Sequence, residues 1–133
     1  QAVFKTLGIE FDAEKGIVVV GLDVSRDGSN QPSSLDPAIG SSSQMEYINT
    51  DVKPQPFIYE NGLPTFGQTI DDNSQSFVTY PNVLVGKKIT MKALPATGQK
   101  CLLSPGLPPQ DEPLVVDVTP DTVTVISYIC SAK

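Results

Sequence analysis

The stretch Leu114–Cys130, LVVDVTPDTVTVISYIC, constrains the fold more than any other, because Val, Ile and Thr fill it and one short interruption divides it. Side chains branched at Cβ suit extended backbone. At Thr119-Pro120-Asp121-Thr122, Pro fits the second position of a type I turn and Asp the third, which predicts a β-hairpin. In that hairpin Val118 faces Val123 and Val116 faces Val125. The outgoing strand then puts Val123, Val125 and Ile129 on one face, expected to be core, and Thr122, Thr124, Ile126 and Tyr128 on the other.

The preceding chain reads as more of the same. Val3, Leu7, Ile9 and Phe11 share one face of an expected first strand, and Asp12–Gly16 supplies a turn with Gly16 in the left-handed position. Ile17–Val24 returns as a strand apolar on both faces in its first half, which predicts a central place in a sheet. The Ser-rich segment 25–43 is expected to be a long polar loop, or an arm ordered against a neighbour, with Leu35 and Ile39 spaced for one helical turn. Met45–Ile48 and Val52–Tyr59 are short strands, the second placed on an edge by Pro54 and Pro56. Asn61-Gly62 is the strongest short-range hairpin signal in the chain and returns it through Thr65–Ile70. Ser76–Tyr80 and Val83–Val85 follow, divided by Pro81-Asn82. In Lys88–Ala93, Ile89, Met91 and Ala93 point inward and Lys88, Thr90 and Lys92 outward. Segment 104–113 holds four prolines in SPGLPPQDEP and reads as a stiff connector.

Together these features predict one all-β domain over residues 1–133, a β-sandwich or jelly-roll-like barrel, mostly antiparallel, of about eight to ten strands with little or no helix. A chain of this length buries enough surface for one core.

Chemistry is bounded mainly by what is missing. The chain has no histidine, which removes Ser-His-Asp and Cys-His designs, His-ligated metals and imidazole acid–base work. Carboxylates such as Asp71, Asp72, Asp117 and Asp121 lie in or beside turns, and no spacing singles out an acid and a nucleophile. No Gly-rich phosphate loop occurs. The expectation is a protein that is not an enzyme, with no catalytic residues and no cofactor. Asp23-Val24-Ser25-Arg26-Asp27-Gly28 resembles the first half of an EF-hand calcium loop, making Asp23, Ser25 and Asp27 weak calcium candidates, but Ser34 stands where the bidentate Glu belongs. A strand end entering an Asp-Gly turn reads the same way. Leu94-Pro95-Ala96-Thr97-Gly98 is similar to the pentapeptide at which sortases attach proteins to bacterial walls. There a hydrophobic tail and basic residues follow, whereas Gln99-Lys100 lead into further strand sequence, so the five residues read as a Pro-Gly turn.

A net charge of −6, from 15 acidic and 9 basic residues, argues against nucleic acid and anionic membranes as partners, and no apolar run approaches the roughly 20 residues of a membrane span. A sequence opening Gln1-Ala2-Val3 is expected to have been cut, by a signal peptidase, by a capsid-maturation protease or by deliberate truncation, and of these a secretory origin suits the two cysteines. Cys101 and Cys130 are then candidates for one disulfide, with a pair of buried thiols as the other reading. The function expected is a non-enzymatic subunit of an extracellular or virion assembly, either a pilus-type subunit or a head-decoration protein. It would be held by contacts with copies of itself or a neighbouring subunit, with segment 2–11 or 25–43 as a strand donor. The alternative is a lectin-like or receptor-binding module. With Trp absent, only four tyrosines and five phenylalanines are on hand to stack a sugar.

Overall fold

The computed structural model describes residues 6–25, 35–47, 55–71, 75–86, 89–103 and 114–132. Ten strands form: β1 Gly16–Ser25, β2 Leu35–Pro37, β3 Ser42–Tyr47, β4 Phe57–Glu60, β5 Leu63–Phe66, β6 Phe77–Val83, β7 Ile89–Leu94, β8 Gln99–Leu103, β9 Leu114–Val116 and β10 Val123–Ala132. They make two sheets. The large one runs β5-β4-β6-β1-β10-β8, with β2 pairing the far end of β1, and the small one runs β3-β7-β9. Among the described residues only Thr6 is helical. The all-β expectation holds, with one parallel pairing, β1 with β10, at the centre.

Alternation decides what lies between the sheets. Val18, Val20 and Leu22 of β1 point inward with Val78 and Tyr80 of β6 and Ile126, Tyr128 and Cys130 of β10. From the small sheet come Met45, Ile89, Met91 and Val116, and the two sets form one buried cluster. β1 is central, as its doubly apolar sequence predicts: Ile17 and Val19 face the other way into a smaller cluster with Phe57, over which Leu7, Ile9 and Phe11 pack. Strand β7 alternates as read, with Ile89 and Met91 buried and Lys92 exposed. At the Asn61-Gly62 turn the chain reverses with φ of 52° and 80°, the left-handed pair that a two-residue hairpin requires.

The final hairpin does not exist. β9 pairs β7 in the small sheet, and β10 pairs β1 and β8 in the large one, so Thr119–Thr122 is an arch between sheets. The arch is seated on Gly16, where an added Cβ would lie 2.8 Å from the Thr119 carbonyl oxygen. Asp121 N–H donates to the Lys15 carbonyl and Ile17 N–H to that of Thr122. Gly16 is therefore needed for close approach and not for a left-handed turn. The core face of β10 is also the opposite of the expected one: Val123 and Val125 are 53% and 66% exposed, while Ile126 and Tyr128 are buried. Parallel register forces this, since Val20 is matched with Ile126 and Leu22 with Tyr128, and matched residues share a face.

Other departures have local causes. Residues 6–15 form no strand; Asn82 instead clamps the segment, its Nδ2 donating to the Glu10 carbonyl at 2.8 Å and its Oδ1 accepting from Asp12 N–H at 2.9 Å. Pro81 and Asn82 do not divide two strands. They sit in β6 at a register shift, where a missing N–H is tolerated, and Asn82 takes a φ of 52°. Within 25–43, Leu35–Pro37 is a strand paired with β1 and not a helical turn, Ser42 and Ser43 begin β3, Ala38, Ser41 and Ser43 are fully buried, and Ile39 is exposed. Residues 26–34 and 104–113 lie outside the described residues, as does the start of the expected 52–59 strand. β4 is flanked by β5 and β6, so the edge belongs to β5, which carries Pro64.

Candidate interaction site

The outer face of the large sheet is where exposed side chains of distinct chemistry gather. Register places Phe66, Phe57, Thr79, Val19 and Val125 in one row across β5, β4, β6, β1 and β10. Leu7, Ile9 and Phe11 cover the middle of this face, and Phe66, Val123 and Val125 remain exposed on either side. The next row brings Phe77, Gly21 and Ser127 together. Tyr59 meets Phe57 and Phe77 edge-on, with ring centroids 5.9 and 5.6 Å away. A glycine inside IVVVGLDV was the available signal for this site, because strand-interior glycines mark bulges or close approaches, but the neighbours it gathers come from register alone.

Asp23 stands two residues beyond Gly21 on the same face. Partial burial raises its carboxyl above the ordinary range, and a hydrogen bond with the Ser76 side chain opposes the shift. Ser25 follows on this face, whereas Asp27 is outside the described residues, so the calcium candidates are not seen converging. Among the described residues no three His, Cys, Asp or Glu side chains group as metal ligands.

Cys101 and Cys130 are joined by a disulfide between β8 and β10. Their Cα atoms are 4.0 Å apart, the narrow type of antiparallel pair, in which the two residues do not exchange ladder bonds. The Cys101 N–H and C=O are therefore directed away from β10, toward the side of β8 where no further strand lies among the described residues. Between the sheets, the Tyr80 hydroxyl and Ser43 Oγ share a buried hydrogen bond of 2.6 Å. Burial pushes the Tyr80 phenol up to about 12, against the Ser43 bond and with help from Tyr128, whose own phenol is raised by burial. These are structural groups, sealed from solvent. The Leu94–Gly98 pentapeptide carries the chain from the small sheet to the large one, with Gly98 at a φ of 80° and Gln99 N–H donating to the Ala96 carbonyl. No helix among the described residues is long and apolar enough to cross a membrane, which says nothing about crossing by strands.

No protein-family model and no curated protein matches this sequence. Among solved structures, the fold is similar to the pilus-presented adhesin Spy0125 (Cpa), with a TM-score of 0.51 over 92% of this chain at 8% identity. The chain spans 28% of that protein's length, so the likeness is to one part of it. At this identity the match establishes a shared all-β architecture.

Proposed function

We propose that this chain is a non-enzymatic β-domain of an extracellular pilus-type assembly, acting through contacts with copies of itself or a neighbouring subunit. The observation that carries the reading is the outer face of the large sheet, where Val123 and Val125 stay exposed on the part of β10 that β8 does not reach and Phe66 stays exposed on the opposite edge strand β5. Exposed apolar rows next to an open sheet edge are what strand addition and subunit packing use. The architectural likeness to a pilus-presented adhesin supports the pilus branch and lends nothing to a virion role. A disulfide between Cys101 and Cys130 suits an oxidising, extracellular location. The lack of histidine supports a role without catalysis. Of the two expected strand donors, segment 2–11 is the weaker, because Leu7, Ile9 and Phe11 are already packed on their own sheet.

Immunogold labelling of the producing cells, together with denaturing gels of their surface fraction, tests this. Label along surface fibres, with the chain recovered in higher-mass species, is the expected result. A chain confined to the cytosol, or recovered outside the cell only as a monomer, would overturn it.

A further inference from the structure

At Gly21 the outer face carries no side chain, and oxygens from three residues border the bare position. A Cβ placed there would meet Ser127 Oγ at 3.6 Å, Asp23 Oδ2 at 3.7 Å and the Ile126 carbonyl oxygen at 3.8 Å. The carboxylate and carbonyl oxygens accept hydrogen bonds, the Ser127 hydroxyl accepts as well as donates, and the carboxylate carries charge. Phe77 is Gly21's partner on β6, with the Tyr59 ring edge-on behind it. Val125, two residues before Ser127, leaves an exposed apolar step leading up to the oxygens.

We propose that the bare position over Gly21 is a socket for a lysine side chain presented by a neighbouring subunit. An ε-ammonium has three donors and no acceptor, matching a lining of acceptors. Its methylene stem fits the Val125 step, as lysine stems do along apolar surface, and the rings of Phe77 and Tyr59 add the attraction of a π system for a cation. Charge complementarity favours this occupant. Among the described residues none of the cations Lys15, Lys92 and Lys100 forms an ion pair with Asp23, and Lys15 pairs with Asp12. Partial burial is what holds the Asp23 carboxyl high against the Ser76 hydrogen bond, so an arriving ammonium stabilises its charged form. A divalent metal fits less well, because hard cations gather several carboxylates and this lining has one.

The socket rests on the assembly reading for its partner but is tested on the isolated chain. Nα-acetyl-lysine methylamide and its uncharged norleucine counterpart are titrated into isotopically labelled protein and followed by amide shifts. The lysine probe is expected to give saturable shifts centred on Gly21, Asp23 and Ser127, and the norleucine probe none. Asp23→Asn weakens binding about tenfold, the loss of one hydrogen bond to a charged group. Gly21→Ala, which meets only ordinary contact distances, narrows the socket and lowers affinity while leaving the fold intact by circular dichroism. Shifts spread evenly over the acidic surface, or unchanged in Asp23→Asn, overturn the proposal. So does saturation of the same amides by a neutral methyl glycoside but not by the amine, which assigns the socket to glycans. A rise of the Asp23 pKa in Arg26→Ala assigns it to the chain's own arginine and also overturns it. Because the titration uses the chain alone, failure of the socket leaves fibre labelling to stand or fall separately.

Discussion

The two faces of the large sheet are made by the same strands and end in different states. The inner face is closed by a second sheet, so Val18, Val20, Leu22 and Tyr128 meet a full layer containing Met45, Ile89 and Met91. Among the described residues the outer face is covered by the short run Leu7–Phe11, which packs on Ile17 and Phe57 and leaves Val123 and Val125 exposed. Covering with a sheet serves stability, and covering with a patch leaves surface over for other molecules. The contrast should be measurable residue by residue.

The largest effect belongs inside. Leu22→Ala removes a fully buried side chain and should cost about 3 to 5 kcal/mol in denaturant unfolding, whereas a loss below about 1 kcal/mol would mean the two faces are not so different. Breaking the Cys101–Cys130 bridge, by reduction or by Cys101→Ser with Cys130→Ser, should cost about 3 to 4 kcal/mol through the freed loop, read as a lower midpoint.

Alkali attacks the same layer. The Tyr80 phenol ionises near 10 when unfolded and about 12 when folded, so its contribution is intact below pH 10 and is lost as pH climbs toward 12. The fall should amount to roughly 2 to 3 kcal/mol. Tyr80→Phe should leave only the parts due to Tyr128 and Tyr59, whose phenols burial also raises, and a profile identical to the parent's would show that Tyr80 is not the group responsible.

On the outer face the clamp matters more than the surface it leaves open. Asn82→Ala frees the Glu10 carbonyl and the Asp12 N–H, and should cost about 1 to 2 kcal/mol with faster hydrogen exchange confined to residues 6–15 and their contacts. Exchange quickening evenly across both sheets would instead place Asn82 in the main core's cooperative unit. The smallest effect is Val125→Thr, expected within about 0.5 kcal/mol of the parent because Val125 is 66% exposed.

The same division explains what was legible beforehand. Asn61-Gly62, the doubly apolar Ile17–Val24 and the alternating Lys88–Ala93 declare themselves locally, because turn chemistry and burial on both faces leave marks within a few residues. Thr119–Thr122 announces a bend but not which sheet the next strand enters, and an arch uses the same Pro-Asp pair as a hairpin. Period-two patterning sorts Val123 from Thr124 without saying which points inward, and β10 inherits its orientation from β1, far away in sequence. The Ser-rich stretch misleads because Ser41 and Ser43 are buried and hydrogen-bonded, Ser41 accepting from Ala96 N–H and Ser43 pairing with Tyr80. The outer-face site was the least legible part, since Gly21, Asp23, Phe77 and Ser127 become neighbours only through strand register.

The parallel pairing of β1 with β10 has a mechanical consequence. Ile17 lies beside Val123 and Val24 beside Cys130, so tension applied to the backbone ahead of β1 and behind β10 pulls the two strands past each other lengthwise. Their ladder is then loaded in shear, with its bonds resisting together, and cannot be peeled open one bond at a time.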